Sequence, residues 1–146
     1  MEAKEYLQQL QNIDIIIKQR QQQLKELNII INNGALGSID YTREKVQTSP
    51  SSEAVFEKMM DKLLDLQNEV NQYIIDYFVI KNNIIKQIQS LERRKYIDIL
   101  YKRYVEFKKL DVIANEMCYA YAHIRKIHGQ ALKCFKQKFL IKPEKT

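Results

Sequence analysis

The sequence predicts an all-α fold, on three observations. Glycine occurs three times and proline twice in 146 residues, about 3% of the chain against roughly 12% in average proteins. Sandwiches, barrels and doubly wound sheets need many more turn residues than that. Charged residues make up 29% of the chain, among abundant Gln, Leu, Ile and Lys. Apolar residues also recur three and four positions apart over long stretches, which is the period of a helix face.

The first such stretch runs through Tyr6, Leu10, Ile13, Ile17, Leu24, Leu27 and Ile31, with Arg20 falling on the stripe. It predicts a helix of about 30 residues, stopped by Asn32-Asn33-Gly34, residue types that tolerate a left-handed cap. Residues 32–52 show no strong period and read as a loop, with Ser49 or Ser52 and Pro50 suited to opening the next helix. In that helix Phe56, Leu63, Val70, Tyr77, Ile84 and Leu91 recur every seven residues. Met59, Leu66, Tyr73 and Ile80 recur at the complementary offset, and Gln87 breaks the series. Such a coiled-coil-like seam needs a partner. The partner is either the first helix, making residues 1–91 a long antiparallel hairpin, or the same helix of a second subunit, making a homodimer through residues 54–91.

Beyond Leu91 the pattern shortens. Arg93-Arg94-Lys95 precedes a helix carrying Tyr96, Ile97, Ile99, Leu100, Tyr101 and Tyr104. Phe107-Lys108-Lys109 reads as a connection, Leu110–Met117 as a short helix, Cys118-Tyr119-Ala120 as a break, and Tyr121 to Phe139 as a last helix. Residues 92–140 form the second predicted domain, and 141–146 a frayed tail.

Charge follows the same division. Residues 1–52 balance to zero, 53–90 sum to −2, and 91–146 carry +8 of the net +6. A basic end points to a polyanion, with a merely solvated surface as the plainer account. No apolar run is long enough for a membrane span. The opening Met1-Glu2-Ala3-Lys4-Glu5 lacks the features of a signal peptide, and Cys118 and Cys134 are too few for a disulfide framework. A cytoplasmic chain with reduced thiols is expected. There is no phosphate-binding glycine loop, nucleophile elbow or HExxH, and Asp61, Asp65 and Glu69 read as a solvated row. No catalytic residue, metal or cofactor is therefore assigned.

The residues from Leu110 to Ile127 fit a helix-turn-helix. Ala114 is small enough for the helix crossing, and Ile113, Met117, Ile124 and Ile127 can lock it. The second helix then offers Tyr121, Ala122, His123, Arg125 and Lys126 to a major groove of double-stranded DNA. Arg93, Arg94, Lys108, Lys109 and Lys133 are the candidates for phosphate contact. His123 and His128 do not share a face well enough to suggest a metal. Cys118 reads as a small packing residue at the turn, and Gly129 as a close approach to a neighbouring helix or a phosphate.

Tyr96 to Tyr104, followed by Ile113-Ala114, Met117, Tyr119, Ile124, His128-Gly129 and Ala131-Leu132, resembles region four of sigma-70-type factors. The closer resemblance is to small phage-encoded region-four-like regulators of Gram-positive hosts, relatives of the RinA and ArpU late-gene activators. Val46 to Ser51 before the long helix is similar too, so the likeness spans most of residues 40–136. It implies a phage or prophage transcription regulator binding DNA through its C-terminal helices. Lys109 and Ala120 stand where that family has capping residues, Cys118 replaces its turn residue, and Ala122 and Gln130 replace basic ones. Two other functions suit the same features: a small-terminase-like DNA-packaging subunit, and a factor whose basic helices bind host RNA polymerase.

Overall fold

The computed structural model describes residues 1–33 and 52–141. It is all-helical, and the described residues contain no strand. The expected connector, including Val46–Ser51 and the candidate caps Ser49 and Pro50, lies outside the described residues, as does the tail from residue 142. Helix α1 spans Ala3–Asn32 and α2 spans Ser52–Gln89. Helix α3 spans Arg94–Leu100, α4 Leu110–Met117 and α5 Tyr121–Phe135. None of these helices is long and apolar enough to cross a membrane.

The chain divides into two compact bodies. One contains Met1–Asp14 with Asp76–Thr146, the other Ile15–Ile75, so the division falls within α1 and α2 rather than at Leu91.

In the second body, Ile17, Leu27 and Val70 are buried. Arg20, the polar interruption in the α1 stripe, pairs with Glu69 at 3.3 Å. That contact explains why a cation sits on an otherwise apolar line, and it takes Glu69 out of the solvated acidic row. It also sets the register. Phe56 lies thirteen residues before Glu69, and thirteen residues after Arg20 is Asn33, just past the end of α1. Phe56 is 44% exposed.

In the first body, the start of α1 packs on the end of α2. Ala3, Leu7 and Leu10 join Ile84, Ile88, Leu91, Leu100, Tyr104, Val105, Ala131 and Phe135 in one core. The Tyr6 hydroxyl donates to Gln87 Oε1 at 2.8 Å. Gln87 breaks the heptad pattern because it serves as that acceptor. A second core joins Ile99 of α3, Ile113 and Ala114 of α4, and Ile124 and Ile127 of α5. Ala114 sits at this crossing, where a larger side chain would hold the helices apart.

Helices α3 and α5 both end in a wider turn. The amide of Glu106 bonds the carbonyl of Tyr101, and that of Ile141 bonds the carbonyl of Lys136, each reaching back five residues instead of four. The first widening buries Tyr104 and Val105 together.

Left-handed residues flank α4: Phe107 at φ 60° and Cys118 at φ 59°. At the second, the amides of Tyr119 and Cys118 bond the carbonyls of Ala114 and Asn115. This is the paired closure that usually carries glycine. Cys118 thus stands at the turn, as expected, but it is exposed and not packed.

Candidate nucleic-acid interface

Burial of Ile124, Ile127, Ala131 and Phe135 fixes the rotation of α5. With about 100° per residue, the opposite face turns outward. Tyr121, Ala122, His123, Arg125 and Lys126 are all exposed, as are Gly129, Gln130 and Lys133. The Arg125 guanidinium lies 5.8 Å from the centre of the Tyr121 ring. His123 meets the Tyr119 ring edge-on at 5.2 Å, and Lys95 Nζ stands 5.3 Å from the centre of that same ring. These cation–ring contacts hold long basic side chains in place without neutralising them.

Three shallow clefts bring the expected phosphate contacts beside α5. Arg93, Arg94 and Lys95 line the first with Tyr96, His123, Ile127 and Gln130. Lys109 lines the second with Arg103, Leu110, Asp111 and Tyr121. Lys133 lines the third with Lys4, Lys136, Gly129 and Glu2. Lys136 is committed there, since its Nζ bonds Glu2 at 2.7 Å. The sequence reading missed Lys95, Arg103 and Lys4. Lys95 extends the visible Arg93-Arg94 run, whereas Lys4 reaches α5 only through the packing of α1.

Lys108 has an internal role as well. Its Nζ lies 2.7 Å from Glu116 and 2.9 Å from Glu106, while Lys102 holds the other oxygen of Glu116 at 2.8 Å. The hydrogen bonds that Lys108 donates to Glu116 and then to Glu106 raise its pKa. Those from Lys102 and then Lys108 lower that of Glu116. Lys108 thus ties α4 to the end of α3, and it reaches a phosphate only by leaving two carboxylates.

The caps depart from the usual pattern as the sequence indicates. Neither Lys109 nor Ala120 gives its helix a side-chain cap. In α4, Asp111 Oδ1 accepts from the Val112 amide at 2.8 Å, which satisfies one of the free donors of that turn. No equivalent acceptor serves α5 among the described residues.

His128 is half-buried under Tyr104, sharing a 2.8 Å hydrogen bond through Nε2 with its rings stacked. Burial, then the positive charges of Arg103 and Lys4, push its pKa down to about 4. Burial pushes the Tyr104 phenol up to about 12. Both are neutral at pH 7. No neighbouring helix requires a glycine at position 129, because a Cβ there would meet nothing within 4 Å. Among the described residues no three His, Cys, Asp or Glu side chains gather as a metal site would require.

Comparison with protein-family models, curated proteins and solved structures finds no match for the chain.

Proposed function

We propose that the chain is a DNA-binding transcriptional regulator of the phage or prophage kind that its C-terminal residues resemble. Helices α4 and α5 act as a helix-turn-helix, with α5 entering the major groove. One observation carries the reading. The face of α5 opposite its buried Ile124, Ile127, Ala131 and Phe135 is exposed and carries Arg125, Lys126 and Lys133 with no acidic residue, and clefts bearing Arg93, Arg94, Lys95, Lys109 and Lys133 lie beside it. Groove entry needs such an arrangement: short side chains on the outermost ridge, a few long donors for base edges, and cations at the flanks for phosphates.

Within this reading Arg125 is the principal base-reading side chain. Its fork matches guanine O6 and N7, a contact worth about 1–3 kcal/mol against the wrong base. The test is fluorescence anisotropy with DNA of the chain's own promoter neighbourhood and with a scrambled duplex. Arg125→Ala is expected to abolish the preference while keeping helical content and most non-specific binding. Equal losses on both duplexes would remove Arg125 from base reading. No binding by the wild-type chain to any duplex at low salt would remove DNA as the partner.

A further inference from the structure

In the first body a cleft separates the start of α1 from the outward line of α5. Lys4, Lys133 and Lys136 line it with Gly129 and Glu2. Two of its features have no use inside the fold. Glycine weakens a helix interior, yet the backbone at Gly129 is ordinary helix and a Cβ there would meet nothing within 4 Å. Lys4 and Lys133 are exposed and, among the described residues, neither pairs with a carboxylate. Lys4 nonetheless stands close to α5. After burial and the charge of Arg103, that of Lys4 lowers the pKa of His128, the neighbour of Gly129.

Gly129 follows Ala122 by seven residues, so both lie on the outermost line of α5, about 10 Å apart. A helix that reads bases with its N-terminal residues meets the sugar-phosphate rim of the groove further along. Gly129 lies one turn beyond Arg125, and Lys133 one turn beyond that. At such a rim a glycine shortens the approach, and cations neutralise the charge.

We infer that this cleft seats one phosphodiester of the DNA backbone, held by Lys4 and Lys133 over Gly129, so that the start of α1 belongs to the DNA interface. The inference rests on the helix-turn-helix reading and adds α1 to it. Glu2 opposes the seat. Its carboxylate bonds Lys136 Nζ at 2.7 Å, neutralising one of the three cations and repelling an incoming phosphate. The pair is exposed enough to open when DNA arrives, at 37% for Lys136 and 68% for Glu2.

Fluorescence anisotropy on the full chain, with one duplex across a salt series, tests it. Lys4→Ala is expected to lower the slope of log affinity against log salt by about 1. Gly129→Leu should weaken binding roughly threefold to tenfold, while urea titration finds it at least as stable as the wild type. A merely structural glycine cannot give that combination. Glu2→Gln frees Lys136 and should tighten binding by a similar factor. Wild-type binding that Lys4→Ala and Gly129→Leu leave unchanged overturns the inference and spares the helix-turn-helix reading. A wild type that binds no duplex at low salt overturns both. Inorganic phosphate is the other source of the same chemistry, compared with chloride at equal ionic strength. If it raises the wild-type melting point but not that of Lys4→Ala, while DNA affinity is indifferent to Lys4, the cleft holds free phosphate and the DNA-backbone assignment is overturned.

Discussion

At Gly129 an added methyl group meets open space, so the fold itself has no need of a glycine there. A helix-interior glycine costs about 1 kcal/mol relative to alanine. Gly129→Ala should therefore raise the unfolding free energy by about 1 kcal/mol in urea titration. His128 gives a residue-scale prediction of the opposite sense. Its folded pKa of about 4 lies below the ordinary 6.5, so between these values the unfolded chain binds a proton that the folded chain does not. Stability is thus full above pH 6.5 and falls as pH drops towards 4. The shift corresponds to at most about 3 kcal/mol, and about half of that after discounting for partial exposure. His128→Gln should remove that part of the acid sensitivity, read as the difference between the two proteins' urea midpoints across this pH range.

Helix α5 begins without a side-chain acceptor at Ala120, although the residue's extended backbone is right for one. Ala120→Ser should therefore stabilise the chain by about 1 kcal/mol, measured as a rise in thermal midpoint. The bounds of α4 and the start of α5 were legible because the break at Cys118-Tyr119-Ala120 is local: Leu110–Met117 and the start at Tyr121 agree with the sequence reading. The widened turns at Tyr101–Val105 and Lys136–Leu140 were not. In the first of them Tyr104 and Val105 are buried against distant residues, which no local period encodes. Leu7 escaped notice for a similar reason. It lies beside the Tyr6–Leu10 line and is apolar to serve Phe135 and Leu100, not only α2. The outward residues of α5 were legible because Ile124 and Ile127 are the only bulky apolar residues near them. The pairing of Lys108 was not legible, because Glu116 comes to it only when α4 folds back on α3.

For the whole molecule the central quantity is the +8 carried by residues 91–146. If that charge meets phosphates, affinity must fall steeply with salt as counterions are released. Lys109→Ala combined with Lys133→Ala should weaken binding to all sequences alike. It should also reduce the slope of log affinity against log salt by about 2. A double variant that binds as wild type across the salt series would deny both lysines a phosphate. Lys108 is left out of this pair, since its loss would also free Glu106 and Glu116.

The first body joins the two ends of the described chain: Tyr6 faces Phe135 with ring centres 5.8 Å apart, and Leu7 and Leu10 share a core with both Phe135 and Ala131. During synthesis these partners leave the ribosome far apart in time. At about 5–20 residues per second, roughly 6–25 seconds separate Leu7 from Phe135. Through that interval the start of α1 lacks its final packing, and α5 cannot seat until nearly the last described residue has emerged. The basic face that would hold DNA is therefore completed only once Phe135 has emerged.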